Sequence, residues 1–367
     1  MTLRARTGAE GKERPATNVY GAAGLTAQTK EEQLMNGYER YMAVVKGGSS
    51  DILPRVPILM AFAADYIGSN YGEFASDYRV LVEANLRCVK DFDFDQVSAI
   101  SDPYRETQGF GGEIEFVEDG VPRLLAPPLA DTKDLSALKR PNPYRSERML
   151  DRIKAVEALA EAVKGQYSIL GWVEGPAAEA ADLRGVMSFL IDLMDDPEFC
   201  RSLMSLCAEV GGEFAAAQLK AGADTIGIGD AIASQVSPQT YAELIFPYEK
   251  ELVDRIHAAG GLVRLHICGD ITHLLPKIKE LGVDILDLDW MVDPAYAREV
   301  VGPNTVLVGN LDPVADVQYG RSEDIAAKLQ EVYKAAGNPF FAGAGCEIPK
   351  GTPIENLKAL CRPIKCV

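Results

Sequence analysis

Short apolar runs and longer amphipathic stretches alternate along most of this chain. Between residues 30 and 46 apolar side chains recur at helical spacing, with Leu34, Tyr38, Tyr41 and Val45 on one face. Eight short runs follow, at residues 56–63, 96–101, 167–173, 225–228, 262–268, 284–288, 305–308 and 339–344. Each is rich in Val, Ile, Leu or Phe and bounded by Gly, Pro or Asp, the pattern of strands buried on both faces. Stretches of helical period separate most of them, at 77–90, 149–163, 196–221, 238–259, 271–281 and 322–336. Strands alternating with helices predict βαβ units and a parallel sheet, and eight such units predict a closed (β/α)8 barrel. A doubly wound open sheet is the competing architecture. One segment breaks the alternation. Residues 113–127 read as a β-hairpin inserted after the second strand, with Asp119-Gly120 at its turn.

Composition narrows the function classes. With 47% hydrophobic and 25% charged residues, the 367-residue chain has an ordinary globular make-up. Residues 1–28 are polar and aperiodic and are expected to be a flexible arm, leaving 29–367 as one barrel domain. The formal net charge of −17 disfavours nucleic acid and anionic membrane surfaces. No apolar run approaches the roughly 18 residues of a membrane span, and the N-terminus has no signal-like apolar core, so a cytoplasmic location is expected. The sequence leaves the oligomeric state open, a homo-oligomer included. Seven scattered cysteines are too few and too irregular for a disulfide framework. Cys88, Cys200 and Cys207 fall within helical patterns and read as core residues, and Cys361 and Cys366 read as packing or surface thiols.

In a barrel of parallel strands, chemistry gathers just past the carboxyl ends. Those positions carry Asp65, Asp102, Glu174, Asp230, His266 with Cys268, Asp289, Asn310 with Asp312, and Cys346. In His266-Ile267-Cys268 the side chains at i and i+2 share one strand face, so both can aim into the barrel mouth. Imidazole plus thiolate is a zinc ligand set, and Cys346 ends the last strand after a glycine-rich approach. Three protein ligands are the catalytic pattern for zinc, which keeps a fourth position for substrate. The H-x-C pair by itself is also what two buried core residues would look like. The acidic rim residues are equally open, since carboxylates at strand ends often only cap the next helix. Asp270 reads as such a cap, and neither His257 nor His273 takes a role.

Several segments resemble the uroporphyrinogen decarboxylase superfamily. They are Leu265-His266-Ile267-Cys268-Gly269, Gly309-Asn310-Leu311-Asp312-Pro313 and Gly345-Cys346-Glu347-Ile348-Pro349 with Thr352-Pro353-x-Glu355-Asn356. Trp172-Val173-Glu174-Gly175-Pro176 and Ser237-Pro238-x-x-Tyr241 also fit. The resemblance runs over roughly residues 30–364 and implies a single (β/α)8 barrel. Within that superfamily the decarboxylases carry an arginine-rich R-Q-A-G-R-Y segment. Here the matching stretch, Leu59-Met60-Ala61-Phe62-Ala63-Ala64-Asp65-Tyr66, has neither arginine. The tyrosine expected after the third strand is also missing from Ala177-Ala178-Glu179-Ala180-Ala181-Asp182, although Asp102 matches the decarboxylase aspartate. An acidic rim without arginines would repel a polyanion.

The H-x-C and distant Cys instead resemble the zinc-dependent corrinoid methyltransferase branch, which includes methylcobamide:coenzyme M methyltransferases and methoxyarene demethylases. That resemblance implies Zn2+ held by His266, Cys268 and Cys346, with Asp289 as fourth ligand and Asp287 or Glu174 as alternatives. It implies methyl transfer between cobalt and a small substrate, either a thiol or a methoxy or other methyl donor. Asp289, Glu174 and Asp102 would then be the catalytic carboxylates, with Tyr104, Asp230 and Asn310 lining the substrate pocket. The corrinoid would come from a separate protein, because the chain lacks the D-x-H-x-x-G signature. That protein would dock over the mouth near the 113–127 hairpin. Two rival readings stay in play: a metal-free decarboxylase, and a non-catalytic ligand-binding barrel.

Overall fold

The computed structural model describes residues 34–366, and residues 35–367 make one compact unit. The predicted 1–28 arm lies outside the described residues. Seven strands form a curled parallel sheet: β1 (Gln96–Ser98), β4 (Ser168–Glu174), β5 (Thr225–Gly229), β6 (Leu262–His266), β7 (Ile285–Asp287), β8 (Val306–Leu311) and β9 (Phe340–Ala344), hydrogen-bonded in that order. Two further short strands, β2 (Ile114–Glu115) and β3 (Arg123–Leu124), pair antiparallel within the predicted hairpin region.

The first predicted strand, 56–63, does not form. Its approach makes a single parallel bridge, Arg55 to Ala342 of β9. Val56 N–H donates to Ala342 O at 2.9 Å, and Ala342 N–H donates to Pro54 O at 2.7 Å. On the opposite side Asp95 N–H donates to Arg55 O at 2.8 Å, just before β1. Pro54 and Pro57 supply no N–H, so a regular ladder cannot run through this segment. Residues Ala61–Tyr66 then turn into a helix.

Side-chain alternation divides the core into two regions. Ile169, Val173, Ile226, Ile228, Val263, Leu265, Leu286 and Leu288 face outward into the helix layer. The inward positions make two smaller clusters. Tyr41, Val56, Ile285, Val306, Val308 and Phe341 pack together, and Ile58, Ile100, Leu170 and Trp172 form a second group. Tyr41 belongs to the helix Gly37–Val45, and its hydroxyl meets Thr225 of β5 at 2.8 Å. That helix starts later than the predicted 30–46 stretch. Asn36 caps it by accepting from Glu39 N–H, and Glu39 reaches back to Asn36 N–H.

Two other helices depart from expectation because of proline. Of the 271–281 stretch only Leu275–Ile278 is α-helical, followed by a 3-10 turn Lys279–Leu281. Pro276 is tolerated only in a first turn, so the helix begins beside it. Asp270 accordingly accepts from Thr272 N–H in a turn rather than capping a helix. In the 238–259 stretch, Tyr241–Ile245 is π-helical before Phe246–Ala258 resumes the α-helix. Pro247 cannot donate to the carbonyl one turn back, Glu243 O, which accepts from Arg201 at 2.9 Å instead. The helix Ser322–Ala336 keeps its predicted bounds. No helix among the described residues is long and apolar enough to cross a membrane.

Candidate metal centre

Strand β6 delivers His266 and, just past its end, Cys268. Arg264 and His266 face the sheet interior, while Leu265 and Ile267 are buried in the outer core. Cys346 follows β9 after Gly345. A side chain on Gly345 would press to 2.7 Å from Trp290 N, so the backbones of the two loops touch there. The three donors converge from segments 78 residues apart. His266 Nε2 lies 3.2 Å from Cys268 Sγ and 3.6 Å from Cys346 Sγ, and the two sulfurs are 3.7 Å apart. Among the described residues these three form the group whose ligand atoms all lie within 4.8 Å of one another.

Those separations can be compared with a tetrahedral ion. Zn–S bonds of about 2.3 Å and a Zn–N bond of about 2.05 Å place two sulfurs about 3.8 Å apart and each sulfur about 3.6 Å from nitrogen. The sulfur pair and the Cys346–His266 pair match, and the Cys268–His266 pair is slightly tighter. The sulfurs are far outside disulfide distance, and all seven cysteines are free thiols. The donor set and its spacing therefore fit zinc with three protein ligands.

The imidazole is oriented from behind. Asp287, at the end of β7, receives His266 Nδ1–H at 2.8 Å and Arg264 Nε–H at 2.8 Å. Arg264 is itself buried and donates to Gln96 Oε1 at 2.8 Å. Asp287 thus fixes the ring so that Nε2 faces the sulfurs, the arrangement in which a carboxylate supports a metal-bound histidine. Without a metal, the group shares protons. Burial works against the imidazolium, but Asp287 and Cys346 outweigh it and raise His266 to about 10. Hydrogen bonding from Cys268 outweighs burial and lowers Cys346 to about 4, and the same bond raises the Cys268 thiol.

The other sequence-predicted residues fall in different places. Asp289 is 7% exposed and is absent from the ligand group. Its carboxylate accepts from Gly269 N–H at 2.9 Å and Met291 N–H at 3.3 Å, bracing the loop behind Cys268. Asn310 donates to Asp289 O and Val292 O, tying down the same loop. Asp230 is buried and accepts from Ala177 N–H and Ala178 N–H, so it caps the helix Pro176–Arg184 from across the fold. Burial raises it to about 7. Asp102 takes a two-point contact from Arg148, at 2.6 and 2.5 Å, and that partner outweighs burial to hold its carboxyl far below the usual range. Tyr104 opens the helix Arg105–Phe110 and is half-buried.

Glu174 alone among the predicted acids lines the cavity of about 170 Å³ beside the triad. His266, Cys268 and Cys346 open onto it with Ile58, Met60, Ile100, Trp172 and Glu347. Burial pushes Glu174 well above the usual carboxylate range, although Arg105 Nη2 donates to it at 2.6 Å. Sequence reasoning missed Glu347, which lines the cavity, receives Ala61 N–H at 2.7 Å and is raised by burial to about 7. Its place directly after Cys346 was the available signal. It also missed Arg105 and Arg148. Both cations are present near the mouth, yet each is consumed by a buried acid. His257 and His273 stay peripheral, on Asp284 and on Val236 O.

The chain is 26% identical over 343 residues to a uroporphyrinogen decarboxylase of Trichodesmium erythraeum, covering 88% of this chain and 95% of that protein. It is 28% identical over 335 residues to one from a Nostoc species, covering 86% and 93%. Among solved structures, a methyltransferase from Methanosarcina mazei superposes with a TM-score of 0.81 at 23% identity, covering 89% and 97%. A B12-independent methionine synthase from Shewanella gives 0.56 at 13% identity, covering 84% and 94%. The family pattern of uroporphyrinogen decarboxylase (URO-D) matches residues 36–366, and the chain belongs to that family.

Proposed function

We propose that this protein is a zinc-dependent methyltransferase that moves a methyl group between a small substrate and the cobalt of a separate corrinoid protein. The observation that carries the reading is the convergence of His266, Cys268 and Cys346 at tetrahedral spacing, with Asp287 behind the imidazole. A zinc ion bound there would supply Lewis acidity, lowering the pKa of a thiol or polarising a methoxy oxygen. The chain's own residues would do the rest. Asp287 holds the ring orientation, the apolar walls exclude water, and buried Glu174 and Glu347 keep protons near the reacting atoms. Asp289 would complete the ligand set only if it left Gly269 N–H. The fold and the location complete the reading: Pro54–Val56 would close the sheet into an eight-membered barrel, and the protein would work in the cytoplasm. The corrinoid protein would dock over the mouth beside β2 and β3.

Decarboxylation is the second reading, favoured by the names of the relatives at 26% and 28% identity. Against it stands the missing arginine-rich segment, since Arg105 and Arg148 are already paired with Glu174 and Asp102. Metal analysis of protein purified without added zinc separates the two. Near one equivalent of zinc, lost in Cys268→Ala, supports the methyltransferase; a metal-poor wild type unchanged by that substitution sinks it. A change in methyl-corrinoid absorbance on mixing with a corrinoid protein and candidate donors then tests the transfer itself.

A further inference from the structure

The floor of the triad's cavity is built around one indole. Trp172 is inward-facing on β4, and its neighbours on β5 at inward positions are Gly227 and Gly229. A side chain on Gly227 would lie 2.1 Å from the Trp172 ring, and one on Gly229 would lie 3.2 Å from its Nε1 and 3.4 Å from Glu174 Oε2. The two glycines are the bay in which the ring sits. Gln218 pins the Trp172 backbone from outside, accepting its N–H and donating to its carbonyl, each at 2.9 Å. The indole is therefore held in one place, 4% exposed.

Its Nε1–H makes no hydrogen bond to any described residue, and it is not among the polar atoms sealed away from solvent. A buried tryptophan N–H normally finds a partner, so this donor faces the cavity with its bond unmade. Close by, Glu174 uses Oε1 for Arg105, and Oε2 has no partner among the described residues. Ile58, Met60 and Ile100 give the cavity an apolar wall, with Ser101 beside them. Among the described residues no lysine or arginine lines the cavity, whereas two carboxyl groups, two thiols and the His266 imidazole do. A hydroxyl or carbonyl oxygen entering could accept from the indole N–H, a bond that a hydrocarbon ring cannot make. An ammonium would offer nothing for the indole N–H to donate to.

We infer that this cavity selects small molecules bearing a hydroxyl or carbonyl oxygen, with Trp172 Nε1–H and Glu174 Oε2 as the polar clamp. The inference rests on the reading of the triad's cavity as the substrate site. It names the substrate class: oxygen-bearing and ring-sized, since an apolar cavity of about 150 Å³ accepts benzene. Trp172 acts as a specificity-determining residue and the glycines of β5 as its seat.

The test is calorimetric titration of the full chain, both as purified and after chelation, with phenol and toluene. Phenol is expected to bind about 10-fold tighter than toluene, the value of one satisfied hydrogen bond. Trp172→Phe should keep toluene affinity and bring phenol down to it. Glu174→Gln retains an acceptor oxygen and should keep the preference for phenol. If Trp172→Phe fails to fold, the wild-type ordering still decides. Toluene binding as tightly as phenol overturns the inference. So does a phenol preference that survives Trp172→Phe, or no binding of either probe. The chelated arm separates this result from the metal: zinc content judges the methyltransferase reading, and probe ordering in the zinc-free chain judges the clamp.

Discussion

Asp287→Asn isolates the support of the metal centre from its ligands. The native carboxylate accepts from two buried cations or donors at once, Arg264 at 2.8 Å and His266 Nδ1 at 2.8 Å. An asparagine of the same shape has one oxygen to accept with, so one partner is left facing an amide N–H. If His266 loses it, the ring is no longer held with Nε2 toward the sulfurs. Loss of such outer support weakens zinc binding about 10–100-fold, or roughly 1.4–2.8 kcal/mol. The charge is lost as well. Arg264 is 2% exposed, and breaking a buried ion pair costs up to about 3–5 kcal/mol, less where a hydrogen bond survives. The substitution should thus lower stability even in metal-free protein. Zinc affinity is read by competition with a chromophoric chelator, and stability by urea unfolding of the chelated chain. Cys268→Ala serves as the ligand-loss control. Zinc affinity within twofold of wild type in Asp287→Asn, alongside clear loss in Cys268→Ala, would refute the claim that Asp287 orients the imidazole.

Three further outcomes are expected. Chelation should lower the thermal midpoint, because a metal bound only by the folded chain adds about 2.7 kcal/mol at a free concentration 100 times its Kd; an unchanged midpoint speaks against a resident metal. Gly227→Ala should destabilise by at least about 1–3 kcal/mol in urea, since its new methyl would meet the Trp172 ring at 2.1 Å; wild-type stability would show the ring free to move. Asp230 carries a raised folded pKa of about 7 against an unfolded value of about 4. Between those values the folded chain holds a proton that the unfolded chain has released, so its contribution is full below about pH 4 and fades as pH rises toward 7. Asp230→Asn should flatten the stability–pH curve in that window by about one proton, measured by urea unfolding at stepped pH; an unaltered slope would mean Asp230 does not titrate there.

Much of the architecture was written in local pattern. Period-two alternation placed His266 and Cys268 on one strand face, and helical period marked residues 322–336 to their observed bounds. Such features depend on neighbours a few residues apart, and the sequence alone determines them. Prolines set the errors: Pro54 and Pro57 interrupted an apolar run that otherwise resembled a strand, and Pro276 shortened a helix. The T-I-G-I-G run of β5 was visible, but its meaning as a bay for Trp172 depended on knowing which strand lies beside it.

The metal centre divides the same way. Residue type nominated His266, Cys268 and Cys346, yet only the fold brings Cys346 to 3.7 Å from Cys268 across 78 residues. Charge roles were hidden altogether. Asp102, Glu174, Asp230 and Asp289 look alike in sequence, but the first is neutralised by Arg148, the third caps a helix and the fourth braces a loop. A carboxylate's role is set by what it faces, and that is decided by contacts distant along the chain. Strand period therefore chose which side chains point inward; tertiary packing chose which inward groups meet a sulfur, a guanidinium or open space.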